Sequence, residues 1–156
     1  MRGVRWLAWL GVLGGALFLD QGSASAQTNT CTISATSVSF GTYDVFSTTD
    51  LTSTGSVTFN CHPKGPGIRV WLSKGLNAPT NAPRKMASGG NLLNYDLCQD
   101  ANCSTRWGDS TYPTEYGPVD APNNKDVTLT VYGRIPAGQD VPAGTYTDRV
   151  TVTIDF

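Results

Sequence analysis

The stretch Tyr146-Thr-Asp-Arg-Val-Thr-Val-Thr-Ile-Asp-Phe156 alternates apolar and polar residues with a period of two. Successive side chains of a β-strand point to opposite faces, so this pattern predicts a strand with one face in a core and the other in water. A strand of this kind is normally followed by sequence for the next hairpin, and none follows Phe156; we therefore expect a sheet that lacks one neighbour. The core-facing residues are Val150, Val152, Ile154 and Phe156.

Similar alternating runs recur upstream, separated by clusters of glycine, proline and asparagine such as residues 63–67 and 118–124. Alternation predicts half-buried strands, the clusters predict turns, and helix signals are absent. We predict an all-β sandwich or barrel, with a loop at residues 77–90 and a strand around residues 92–97. The apolar residues of the earlier runs are Val38, Phe40, Val57, Phe59, Cys61, Ile68, Val70, Leu72, Val127, Leu129 and Val131.

The N-terminal residues are typical of a secretory signal peptide. Two arginines precede an apolar stretch at residues 7–19, and Ala24-Ser-Ala26 supplies the small residues that signal peptidase recognises. We expect residues 1–26 to be removed; a retained membrane anchor is the alternative, although the apolar stretch is short for a bilayer span. Residues 27–156 then form one domain with nine basic and eleven acidic side chains. Such a small net charge predicts no nucleic-acid partner.

Four cysteines lie in the predicted domain: Cys31, Cys61, Cys98 and Cys103. An even number of cysteines in an exported chain favours disulfides, and three pairings are open. We expect Cys31 to pair with Cys61, which would join two early strands, and Cys98 with Cys103, which would close a small loop. The alternative is a zinc site that adds His62, but the spacing lacks the closely spaced cysteine pair of zinc knuckles.

Several stretches together resemble spore coat protein U domains over essentially the whole predicted domain. Any one of them is a weak motif, whereas their order and combination are specific. They are residues 31–46, which resemble the opening of such domains; 55–61, their second strand with its cysteine; 93–97 with 105–109, their middle signature; and 131–139 with 141–148 and the alternating strand that follows.

The resemblance implies a fold and a way of assembling. Spore coat protein U domains are similar to pilin subunits of archaic chaperone–usher systems, which are immunoglobulin-like sandwiches without their last strand. A periplasmic chaperone fills the gap first, and another pilin subunit fills it in the fibre after export through an outer-membrane usher. The resemblance thus implies a secreted subunit that passes through the periplasm to the cell surface or a pilus.

On this reading, two sets of residues contact the chaperone or the donated strand. After cleavage only Gln27-Thr-Asn-Thr30 would precede Cys31, and none of these residues is apolar. We therefore expect a subunit that accepts a strand without donating one, such as a terminal subunit or a lone coat-like domain. The contact residues are Val150, Val152, Ile154 and Phe156 in the last strand, and Val38, Phe40, Val57 and Phe59 lining or bordering the groove.

Other chemistry is weakly indicated. His62 has no neighbouring partner for general-base catalysis, so we predict no enzyme and no cofactor. Asp96, Asp100 and Asp109 lie near the small loop, but the loop pattern of a calcium site is missing, and we predict no metal. A self-contained, lectin-like binding module with a complete sandwich is the alternative function. Its candidate contacts with a surface glycan are Trp71, Tyr112 and Tyr116, although aromatic residues commonly just cover sheets.

Overall fold

A computed structural model describes residues 30–80, 82–108 and 114–156. Within these ranges the chain forms eight β-strands and no helix, in agreement with the all-β prediction. The strands are β1 (Thr30–Thr36), β2 (Leu51–His62), β3 (Gly65–Leu72), β4 (Arg84–Ser88), β5 (Asn91–Cys98), β6 (Tyr116–Ala121), β7 (Asp126–Ile135) and β8 (Val152–Asp155).

The strands form two antiparallel sheets with a core between them. The larger sheet has the order β1-β2-β7-β5-β4, and the smaller has the order β6-β3-β8. The longest pairing joins β2 to β7 over ten residue pairs, from Leu51 opposite Ile135 to Asn60 opposite Asp126. Among the described residues β8 pairs with β3 alone, with Val152 opposite Leu72 and Asp155 opposite Arg69.

The core consists of the alternating residues that the sequence marks as apolar. Val57, Phe59 and Cys61 on β2 are at most 1% exposed, and Ile68 and Val70 on β3 are fully buried. Their polar neighbours in each strand face water, because side chains alternate across a pleated sheet. Trp107, in the connection after β5, is also fully buried and donates its indole N–H to the carbonyl of Val70, 2.8 Å away.

Three local predictions were wrong. The run around Val38 and Phe40, predicted as a half-buried strand, forms no strand, because β1 ends at Thr36 and both side chains pack directly on β7 at Gly133.

The segment predicted as a loop at residues 77–90 contains β4, whose residues alternate too weakly to show a strand pattern. The predicted final strand begins at Val152 instead of near Tyr146. The reason is that Thr147 exchanges two backbone hydrogen bonds with Ala87 of β4, 2.9 and 3.0 Å long, and so follows the larger sheet before the chain reaches the smaller one.

Disulfides join Cys31 to Cys61 and Cys98 to Cys103. The first links the edge strand β1 to β2 at directly opposite residues, and the second closes the turn after β5. A disulfide restricts the unfolded chain, so each contributes to stability by a loop-closure effect that grows with the spacing of its cysteines.

Candidate functional site

A long groove separates two irregular segments of the chain. The end of β1 and the residues after it, 35–46, form one wall, and residues 141–148 and 150, which precede β8, form the other together with Val152. The groove has a volume of about 1210 Å³. Its base consists of core side chains from both sheets, namely Val57, Leu72, Leu93, Tyr95, Leu97, Val131 and Ile135.

The groove walls carry apolar side chains that the chain leaves only partly buried. They pack against the core on one side and remain accessible on the other. Covering such a surface with a further apolar segment is favourable, by about 25 cal/mol for each Å² of apolar area removed from water. The residues concerned are Val38, Phe40, Tyr43, Met86, Val141, Tyr146, Val150 and Val152.

The first wall lies close against the larger sheet because β7 has a glycine at the contact. A Cβ atom on Gly133 would lie 2.5 Å from Cγ1 of Val38 and 2.6 Å from Cζ of Phe40. No side chain fits at this separation, so glycine at 133 lets both apolar residues pack directly on the strand. Phe40 also contacts Tyr95 of β5 edge to face, with ring centroids 6.2 Å apart.

A polar contact holds the end of this wall. The hydroxyl of Tyr43 donates to the carbonyl of Pro136 at 3.0 Å and accepts from the backbone N–H of Gln139 at 2.9 Å. The Gln139 side chain in turn accepts from the N–H of Asn94 and donates to its carbonyl, at 2.8 and 2.9 Å. The wall is thereby fixed both to the β7–β8 connection and to β5.

Asp148 organises the second wall. Its Oδ1 accepts from the N–H of Leu76 at 2.9 Å and from Nδ2 of Asn77 at 3.0 Å, and its Oδ2 accepts from the hydroxyl of Tyr95 at 2.7 Å. Gly75, at φ +82°, turns the loop so closely over this carboxylate that a Cβ would collide with it. Burial, and after it the hydrogen bond to Asp148, raises the pKa of Tyr95 well above its usual value, so the phenol stays protonated and donates.

Asp148→Ala is expected to lower the free energy of unfolding by about 1–3 kcal/mol, because several partly buried donors lose their acceptor at once. Tyr95→Phe should cost about 1 kcal/mol, since it removes one hydrogen bond and retains the ring. Chemical denaturation measures both. Asp140→Ala is the matched control, an exposed carboxylate in the same connection. Equal effects at positions 140 and 148 would contradict the organising role of Asp148.

The free edge of β8 runs beside the second wall. β8 lies at the end of the smaller sheet, and among the described residues its second edge has no strand paired to it. An edge strand presents backbone N–H and C=O groups that can pair with another strand. The groove therefore combines unpaired backbone groups with partly covered apolar side chains.

The structure places the eight predicted contact residues in three environments. Val38, Phe40, Val57, Val150 and Val152 line the groove. Phe59 lies in the core, with 1% of its surface exposed. The two remaining residues follow Val152 in or just after β8: Ile154 is partly buried against the core, and Phe156 is 52% exposed.

Two of the predicted glycan contacts, Trp71 and Tyr116, lie on opposite faces of the smaller sheet. Tyr116 packs against the core and against Trp107, with ring centroids 4.9 Å apart. Trp71 alternates with the buried residues Val70 and Leu72, so its side chain lies on the opposite face of the smaller sheet. Tyr112 lies outside the described residues. Glycan contact at any of the three residues stays a prediction.

The polar residues considered for metals are engaged otherwise. Asp96 is 2% exposed and forms ion pairs with Arg106 and Arg134 at 3.1 and 3.0 Å. Backbone N–H groups of Ser104, Thr105 and Asn102 bind Asp100 and lower its pKa. Asp109 lies outside the described ranges. Nδ1 of His62 is 2.9 Å from Oδ1 of Asn123.

Within residues 30–80, 82–108 and 114–156, no group of three or more histidine, cysteine or acidic side chains could hold a metal ion. No helix in the same ranges is long and apolar enough to cross a bilayer.

Several groove residues were missed by reasoning from sequence. Met86, Val141 and Tyr146 all line the groove, and Tyr95 joins it to Asp148. Tyr95 lies in a run with a clear strand pattern, and that pattern predicts burial without a polar partner. Tyr146 opens the alternating final stretch but precedes the four residues expected to make contacts there. Met86 and Val141 belong to short or irregular segments, where alternation carries no information.

The two antiparallel sheets, packed around one core, define an immunoglobulin-like β-sandwich. The family of the chain follows from its sequence: it belongs to the Spore Coat Protein U domain family, whose sequence model matches residues 20–153. A curated relative, Protein U of Myxococcus xanthus, is 30% identical over 92% of this chain and 79% of that protein.

One solved structure is similar to this chain in both fold and sequence. A chain in the CsuC–CsuE chaperone–tip adhesion subunit pre-assembly complex, from archaic chaperone–usher Csu pili of Acinetobacter baumannii, aligns with a TM-score of 0.56 and 27% identity. The alignment covers 83% of this chain and 40% of that chain, so this chain spans less than half of its length.

Proposed function

We propose that this protein is an exported, non-enzymatic subunit of a surface pilus or coat, which accepts a β-strand from another chain in its groove. The observation that carries the proposal is the apolar groove beside the unpaired edge of β8. A strand placed there would pair with β8 through its backbone and insert alternate side chains between the walls.

The energetic argument supports tight capture. Four or five apolar side chains inserted by a donor would contribute about 1.5–3 kcal/mol each, or about 6–15 kcal/mol before the costs of ordering. This is comparable with the whole net stability of a typical domain, about 5–15 kcal/mol. We therefore expect the free subunit to be marginally stable and the complex to dissociate very slowly.

The family and the pre-assembly complex support the same route of assembly. A periplasmic chaperone would bind first, an outer-membrane usher would follow, and another subunit would supply the final strand. Residues 1–26 would direct export, and residues 27–156 would be the domain that assembles. The two disulfides would form in the oxidising periplasm.

The proposal is tested by supplying a strand within the same chain. Residues 27–156 are exported to a periplasm, either alone or extended after Phe156 by a short polar linker and nine alternating valines and threonines. The alternating strand is expected to raise the yield of soluble monomer and its melting temperature. The control extension contains the same residues with all valines first, so it matches in composition but cannot place them on one face.

A stable unextended domain would contradict the proposal. If the unextended domain is a soluble monomer that melts cooperatively above about 60 °C, and the alternating strand adds nothing, the groove does not need a donor. The protein would then be a self-contained binding module with a complete fold.

A further inference from the structure

Four strands lie at sheet edges within the described residues: β1 and β4 in the larger sheet, β6 and β8 in the smaller one. An exposed edge can pair with strands of other molecules, and proteins usually block it with charge, proline or a covering segment. The four edges of this protein differ in how they are blocked.

Three edges have an assigned neighbour or a block. β4 carries the charged, partly exposed Lys85, and residue Thr147 hydrogen-bonds to its Ala87. β6 contains Pro118, which has no N–H to donate, and the charged Asp120. The edge of β8 faces the groove. Only β1 remains among these four.

β1 has none of these blocks. Its sequence, Thr30-Cys-Thr-Ile-Ser-Ala-Thr36, has no charge, no proline and no glycine. Six of the seven residues of β1 are exposed, and β1 is paired with β2 along one of its edges. Ile33, at the centre of the strand, is one of the large apolar residues on the surface, with 41% exposed.

We propose that the outer edge of β1 pairs with β1 of a second copy of this protein, antiparallel and centred on Ile33. In an antiparallel register centred on Ile33, odd-numbered residues pair with odd-numbered residues and even-numbered with even-numbered ones. The backbone groups that point away from β2 in one copy therefore meet the equivalent groups of the other copy. Thr32 would lie opposite Ser34, and Thr30 opposite Thr36. The two larger sheets would become one continuous sheet about a two-fold axis.

The side chains favour a second copy over a charged partner. On the polar face the register sets hydroxyl residues opposite each other, and on the apolar face it sets Ile33 against Ile33. Uncharged and β-branched pairs stabilise antiparallel strands, and no like charges are opposed. A single pair of seven-residue strands is small beside the roughly 1,600 Å² of a standard stable interface, so we expect a weak, concentration-dependent dimer.

The dimer does not rest on the proposed function, because the donor strand would pair with β8, whereas the dimer uses the outer edge of β1. The test places a charge on the two-fold axis. Ile33→Lys or Ile33→Glu sets like charges opposite each other, and an equimolar mixture of the two variants sets opposite charges there. Leu92→Lys is the matched control, because Leu92 is 43% exposed on β5.

Sedimentation velocity of the full exported chain, from about 1 µM to about 1 mM, is expected to show dimers of the wild type. Each Ile33 variant should raise the concentration at half dissociation about tenfold or more. The mixture should recover most of the loss, and Leu92→Lys should behave as the wild type. A wild type that stays monomeric at the highest concentration, or an equal loss in Leu92→Lys, would overturn the proposal.

Hydrogen exchange on the unmodified protein provides a second test that needs no folded variant. Backbone amides of residues 30–36 should exchange more slowly as the protein concentration rises, whereas those of β6, the proline-containing edge, should not change. Concentration-independent exchange of β1 would refute the dimer even if the charged variants failed to fold.

Discussion

Replacing Arg84 with alanine is expected to lower the free energy of unfolding by about 3–5 kcal/mol, because buried carbonyls lose their donor and a large side chain leaves a cavity. Arg84 is fully buried at the start of β4. Its Nε donates to the carbonyl of Ser73 at 2.8 Å, and its Nη2 donates to the carbonyls of Leu72 and Trp107 at 2.9 and 2.7 Å.

The size of the effect follows from what the alanine leaves behind. Buried carbonyls that lose a charged donor keep their desolvation cost and gain no water. The side chain also leaves a void, because arginine packs its aliphatic stem as well as its charge. Leu72 ends β3 and lines the groove, so we expect the loss to loosen one end of the groove base.

The neighbouring residue supplies the control for Arg84. Lys85→Ala removes a basic side chain from the same strand at a partly exposed position, and should cost less than about 0.5 kcal/mol. Arg84→Lys retains the charge, but the lysine ammonium group lacks the planar guanidinium geometry that reaches all three carbonyls. This variant should therefore recover only part of the lost stability. Urea denaturation of the three variants measures these differences. A full recovery by lysine would show that charge alone matters.

Arg84 also shows where prediction from sequence failed. The strands β2, β3, β5 and β7 were predictable because each has a buried face whose residues repeat every second position. Arg84 lies in a segment without this pattern, for which the sequence predicts a loop. Its partners lie in other segments of the chain, and no local pattern indicates such distant contacts.

Only some of the groove residues could likewise be predicted from the sequence. Alternation predicts an apolar face at Val38, Phe40 and Val152, and the resemblance to spore coat protein U domains implies that this face borders a groove. The hydrogen bonds that position its walls, from Asp148 to Tyr95 and from Tyr43 to Gln139, connect residues that are far apart in sequence. A single aspartate within a polar run looks like a solvent-facing residue, so its role as an acceptor of several bonds appears only in the folded chain.

Val152→Asp is expected to abolish capture of a donated strand. Val152 lines the groove on β8, is partly buried against the core, and lies opposite Leu72 of β3. An incoming strand would bury the new carboxylate without a partner, and the cost of desolvating an unpaired charge exceeds what any single apolar contact contributes. The measurement is the rise in melting temperature given by the alternating extension after Phe156, which the variant should lose.

The adjacent residue separates this effect from general damage to β8. Thr153→Asp adds the same charge to the same strand, but Thr153 is exposed and alternation points it away from the groove, so the extension should still stabilise that variant. A second pair covers the case in which Val152→Asp fails to fold. Val38→Asp changes the opposite wall, and Ser34→Asp adds the same charge at an exposed position of β1 that does not line the groove. If both members of each pair lose capture equally, strand acceptance does not depend on the groove, and the proposed function is wrong.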